Sequence, residues 1–223
     1  VGDITPSAQT DGDGVAEVQF SSSEVGIAQI TARVDLSGGG NIYDIINITL
    51  TPGPPQSVLL RFSPNSMGVK DSGKNQTVTV YADVKDSKNN PVEDGTKVVF
   101  HIIQSPSGNE TMSPSEGTEI STVGGTAQAS FKSDTVSGTA KIQAEVTEDS
   151  DGNPVTDVRS IATEIVIHSG PPYMEDIADS STTHLTIVPR RLNIYAGLDT
   201  TLLSVSISDK YMNEVQEGTA VYV

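Results

Sequence analysis

Apolar residues in this chain alternate with polar ones, and that period of two limits the fold more than any other feature. Val78, Val80, Ala82 and Val84 project to one side of a strand, and Thr77, Thr79, Tyr81 and Asp83 to the other. Leu203, Val205 and Ile207 alternate in the same way with Ser204, Ser206 and Ser208. A strand with one face in a core and one in water has this period, whereas a helix repeats every 3.6 residues. Shorter apolar runs at 97–100 and 164–167 read as buried strands. Turn chemistry separates the runs: Asn89-Asn90-Pro91, Asp94-Gly95, Gly124-Gly125 and Asp151-Gly152-Asn153-Pro154. Turns spaced about 8–12 residues apart are those of a sandwich or barrel. No stretch carries a convincing amphipathic helix.

The chain also repeats itself. Ala16, Phe20, Ala28, Ile30, Ala32 and Val34 find counterparts in Ala127, Phe131, Ala140, Ile142, Ala144 and Val146. Each set reads as a hairpin whose inward residues match in kind. Asp86, Asn90, Val92 and Gly95 match Asp209, Asn213, Val215 and Gly218. Proline-rich joints recur as Thr51-Pro-Gly-Pro-Pro55 and His168-Ser-Gly-Pro-Pro172. Proline fixes φ and favours extended neighbours, so such joints limit bending. The offset of roughly 110–125 residues is close to the length of an immunoglobulin-type sandwich. The expected fold is therefore all-β: tandem immunoglobulin-like β-sandwiches arranged end to end. Residues 1–51 would be the C-terminal half of one domain, 52–169 a complete domain, and 170–223 the N-terminal half of a third.

In order, the central motifs are Asp-x-x-Asn-Asn-Pro-Val-x-x-Gly from Asp86, Gly-Gly-x-Ala-x-x-x-Phe from Gly124, and Gly-x-Ala-x-Ile-x-Ala-x-Val from Gly138. Together they resemble the bacterial Ig-like repeats of the invasin and intimin type. The resemblance covers the central domain and part of both flanks. It implies a stalk or filament module on the cell surface or outside it, holding a binding domain away from the cell. Fold alone does not settle function.

Charge and composition narrow the partners. Net charge is −16, so nothing here would neutralise phosphates, and nucleic acid is excluded as an expected partner. Arg190 and Arg191 are the one adjacent arginine pair. With no cysteine there is no disulfide, thiolate ligand or thiol nucleophile. No apolar stretch approaches the ~20 residues of a membrane helix. The absence of an initiator Met suggests that residue 1 is a processed end or a cut in a longer chain.

Two acidic turns are the candidate metal sites. Asp11 and Asp13, and Asp149, Asp151 and Asn153, place oxygen ligands on alternate residues of a tight turn. Calcium loops open in this way, although neither turn has the later bidentate Glu of an EF-hand. The competing reading is a plain turn, for which Asp-Gly is standard chemistry. Residues 149–157 also form an acidic insertion relative to residues 35–41 of the earlier repeat. His101, His168 and His184 have no paired metal-ligand spacing, and no Gly-x-Ser-x-Gly elbow exists. No catalytic residue and no further cofactor is expected.

Half a sandwich leaves its core face open. Phe20, Ile30, Val34 and Ile46 would be exposed in the first part, and Leu185, Ile187, Leu203, Val205, Ile207 and Val221 in the last. Neighbouring repeats of a longer protein would cover them, or neighbouring copies would do so head-to-tail by strand complementation. The expected function is structural or adhesive. The rivals are a receptor- or glycan-binding module and an accessory segment of a large secreted enzyme.

Overall fold

The computed structural model describes residues 2–173, 185–188 and 204–222, and only the backbone of 185–188. All regular structure among the described residues is strand or turn. The chain begins with β1 (Asp3–Ile4) and β2 (Phe20–Ser21), an antiparallel pair. A long two-stranded ribbon follows, β3 (Gly26–Asp35) against β4 (Asn41–Leu50).

Nine strands then build a two-sheet sandwich. They are β5 (Ser57–Ser63), β6 (Ser66–Gly68), β7 (Thr77–Lys85), β8 (Lys97–Gln104), β9 (Thr111–Ser113), β10 (Ile120–Ser121), β11 (Thr126–Lys132), β12 (Gly138–Glu148) and β13 (Thr163–His168). One sheet has the order β5-β7-β11-β9, the other β10-β8-β12-β13-β6. The four-stranded sheet and the central run β8-β12-β13 reproduce the two sheets of an immunoglobulin constant-type domain. Beyond the sandwich, β14 (Leu185–Val188) pairs with β15 (Ser204–Ile207).

The alternation read from the sequence sets the register. On β7, Val78, Val80, Ala82 and Val84 are all buried. Phe131 lies opposite Val78, Ala129 opposite Val80 and Ala127 opposite Ala82, so inward residues meet inward residues across the ladder. The facing sheet contributes Val98, Phe100, Ile142, Ala144, Val146, Ile165 and Ile167. Alanines at 82, 127, 129, 140 and 144 leave room for Phe100 and Phe131 between the sheets. Large-against-small packing lets a chain with 4% aromatics fill its interior.

Two expectations need correction. The segments around Phe131 and Ile142 do not form a hairpin. β11 belongs to one sheet and β12 to the other, and the connection between them passes from sheet to sheet. Buried Ser133 holds that crossing by donating to the carbonyl oxygens of Gly68 (2.6 Å) and Gln76 (3.3 Å). Matched apolar faces are equally consistent with strands paired side by side and strands facing across a core, so the pattern could not separate the two. The second correction concerns residues 164–167. Val166 is 46% exposed, because the outer face of β13 is open to water, where Glu164 meets Lys141 at 2.8 Å. The run at 97–100 is buried at Val98, Val99 and Phe100, as expected.

Outside the sandwich, several large apolar side chains lie in water. Val34, Ile42 and Ile46 on the β3–β4 ribbon are 58%, 59% and 59% exposed. Val221 is exposed too, while Phe20, Ile30, Val205 and Ile207 are half-buried. The side chains of Leu185 and Ile187, and all of His184, Arg190, Arg191 and Leu203, lie outside the described residues.

Phe131 is fully buried between the sheets. Phe131→Ala should cost about 3–5 kcal/mol, read as a lowered urea midpoint with the slope of the transition unchanged.

Candidate functional site

Four turns share one construction, and each begins with an aspartate. Asp11, Asp86, Asp149 and Asp209 each accept two backbone amides on Oδ1. The donors are Asp13 and Val15 (3.0 and 2.9 Å), Lys88 and Asn90 (2.8 and 2.9 Å), Asp151 and Asn153 (3.0 and 2.8 Å), and Tyr211 and Asn213 (both 2.9 Å). In each turn the amide of the aspartate itself donates to the carbonyl four residues on, at 2.8–2.9 Å. The residue three positions on takes positive φ: Gly14 (79°), Asn89 (68°), Gly152 (81°) and Met212 (68°). Glycine and asparagine enter that region readily. Methionine does so at a cost of about 1–2 kcal/mol, so its neighbours hold it there.

The five candidate calcium ligands fall into two of these turns. Asp11 and Asp13 share one; Asp149, Asp151 and Asn153 share the other. Both Asp149 oxygens are engaged, Oδ1 by the two amides and Oδ2 by Asn153 Nδ2 (2.9 Å). The Asn153 side chain and the backbone amides of Asn153, Asp151 and Gly152 hold the Asp149 carboxyl below the usual carboxylate range. Among the described residues, no three His, Cys, Asp or Glu side chains gather as a metal site would require. His101 lies on β8 with Nδ1 3.7 Å from Glu116 Oε1, and His168 ends β13.

The other two turns reach beyond themselves. Asp86 Oδ2 accepts the amide of Gly53, inside the first proline-rich joint, at 3.0 Å. Asp209 Oδ2 accepts the amide of Gly170, inside the second, at 2.8 Å. The Asn90 side-chain amide donates to the carbonyl of Ser23 (3.0 Å), and that of Asn213 to the carbonyl of Thr135 (2.7 Å). Ser23 stands three residues before Gly26 and Thr135 three before Gly138, the two glycines matched in the repeat. The same contact is therefore made twice.

Burial opposes the charge on Asp86. The Asn90 side chain and the amides of Gly53, Asn90 and Lys88 outweigh that effect and hold its carboxyl at about 2. At the second joint Asp71 Oδ2 accepts the Tyr211 hydroxyl (2.7 Å) and the Lys210 ammonium (3.2 Å). These partners lower the Asp71 carboxyl, and Asp71 pushes the Tyr211 hydroxyl up to about 12. Ser137 N donates to Asn213 Oδ1 at 2.8 Å, and Lys74 Nζ to Gln216 Oε1 at 3.2 Å. The inserted acidic turn stands beside the first joint: Ser150 Oγ bonds Glu93 Oε2 (3.1 Å), and Asp149 and Ser150 share a shallow groove with Pro52–Pro55.

The repeat and its prolines were visible in the sequence, but the role of Asp86 and Asp209 was missed. The available signal was an Asp-x-x-x-Asn pair, Asp86 with Asn90 and Asp209 with Asn213, recurring 33 and 39 residues after the glycine of each Gly-Pro-Pro joint.

No protein-family model matches the sequence. The Escherichia coli adhesin FdeC has a similar structure, with 15% identity and a TM-score of 0.50 over 97% of this chain and 64% of that one. So has InvD of Yersinia pseudotuberculosis, with 19% identity and a TM-score of 0.53 over 96% and 58%. This chain thus spans less than two thirds of either protein's solved length. The likeness is one of fold: the chain has the Ig-like β-architecture found in bacterial adhesin domains, as its motifs implied.

Asp86 ionises at about 2, below the ordinary value of 3.8. The folded chain binds that proton more weakly than the unfolded one, so the carboxylate's contribution is complete above pH ~4 and fades as pH falls to about 2. Urea titrations from pH 6 to pH 2 should show the stability gap between wild type and Asp86→Asn constant at first, then closing through that window.

Proposed function

We propose that the chain is a stiff, non-catalytic segment of an extracellular bacterial surface protein, with a structural or adhesive role. Residues 1–51, 52–169 and 170–223 are parts of three consecutive Ig-like units set end to end. The observation that carries this reading is the doubled joint: twice, a linker glycine and a carbonyl of the preceding segment are bonded by one Asp-x-x-x-Asn turn. A chain selected only for a globular core has no need to repeat that contact at matched positions. The dense negative charge keeps such a surface solvated.

Partners follow from the open ribbon. In the sandwich, β12 is covered by β8 and by the facing sheet. The equivalent face of β3, with Ile30 opposite Ile46 and Val34 opposite Ile42, is buried only at Ala28 among the described residues, and Val34, Ile42 and Ile46 lie in water. Another repeat, in the same protein or in a neighbouring copy placed head-to-tail, supplies the cover. A host or cell-surface receptor is the adhesive partner in this reading.

Calcium at the Asp11–Asp13 and Asp149–Asn153 turns is proposed separately, in the ~0.1–1 mM range of extracellular modules. Bound calcium should raise the unfolding temperature of wild type and not of Asp149→Ala or Asp11→Ala. No response at several millimolar leaves them as turns.

Small-angle scattering and negative-stain electron microscopy test the rod. An elongated particle with units in line is expected; a compact particle defeats the proposal.

A further inference from the structure

Resting on that rod reading, we infer that the Asp-x-x-x-Asn turn is a clasp that fixes the angle between consecutive units, a role the prolines alone do not fill. Four turns have the same internal geometry, yet among the described residues only two bond outside the turn through the aspartate and asparagine themselves. At the position four residues after the aspartate, Asp11 has Val15, which has no polar side chain. Asp149 has Asn153, whose side-chain amide bonds Asp149. Asn90 and Asn213 bond their own aspartate and also a carbonyl of the preceding segment. Each of these two aspartates also takes the linker glycine amide on Oδ2.

The linker, the turn and the preceding unit are thereby tied to one carboxylate–carboxamide pair. A proline-rich linker restricts φ at its own residues, but it leaves rotation about the joint as a whole unspecified. A bond from the following unit to the preceding one removes that freedom. The two carbonyl acceptors occupy equivalent repeat positions, so both joints are set to a related geometry.

The asparagine side chain can be removed without dismantling the turn. Its backbone amide still reaches Asp86 Oδ1 or Asp209 Oδ1, and the glycine amide still reaches Oδ2. Asn90→Ala and Asn213→Ala therefore act on the joint first.

The chain has no native cysteine, so paired spin labels can be placed without ambiguity. Labels at exposed Thr31 and Gln128 span the first joint, and labels at Gln128 and exposed Glu217 span the second. In the full chain, each wild-type pair should give one narrow distance distribution. Asn90→Ala should broaden the first alone and Asn213→Ala the second alone. The undocked share should rise roughly fivefold at the first joint, the factor carried by one side-chain hydrogen bond, and further at the second, where Asn213 also accepts the Ser137 amide. The thermal midpoint should fall by no more than a few degrees with the transition still cooperative, which separates release of the joint from loss of fold. Narrow wild-type distributions that stay narrow in both folded variants overturn the clasp and leave the rod standing. Distributions already broad in wild type overturn both.

Discussion

A carboxylate that accepts amides two and four residues downstream is the interaction on which this structure turns. It closes a tight reversal without help from a core, because the aspartate replaces the backbone partners that the reversal takes away. In two such turns, at Asp11 and Asp149, the aspartate bonds only within its own loop. The other two add a linker amide and an asparagine side chain, and the same reversal becomes an attachment point. Asp86 is 5% exposed and Asp209 1%, so both charges sit where an unpaired carboxylate would be costly; their hydrogen bonds make them tolerable.

The sandwich meets a different constraint. Few aromatic residues are available, so its two sheets are brought close by alanine and spaced by Phe100 and Phe131. β-Branched residues supply much of the rest of the interior. Polar faces carry short ion pairs such as Arg61–Asp83 at 2.8 Å, with the Arg61 guanidinium 4.0 Å above the Tyr81 ring. These contacts lie in water and order the outer face more than they stabilise it.

Much of this was legible before the fold was known. Val78 to Val84 announced a half-buried strand, and the matched residues around Phe131 and Ile142 announced core positions. Periodicity reports which side of a strand faces inward, but not which neighbour the strand pairs with. That is why β11 and β12 read as a hairpin although they lie in different sheets. It is also why Val166 looked buried. The acidic turns at Asp11 and Asp149 drew attention because carboxylates on alternate residues suggest a cation. The more consequential aspartates, at 86 and 209, carry an ordinary polar sequence around them. Their reach depends on a glycine more than thirty residues away, and local spacing holds no record of that.

The pairing of β6 with β13 has a mechanical consequence. These strands run parallel, Ser66 beside Val166, Met67 beside Ile167 and Gly68 beside His168, and the Val69 amide extends the ladder to the His168 carbonyl at 2.9 Å. β6 continues from β5, which follows the first joint, whereas β13 leads into the second. A pull on the two joints slides these strands lengthwise past one another. Bonds loaded that way strain together and must give together, unlike a zipper opened from one end. Under such a pull the short edge strand would act as a shear lock.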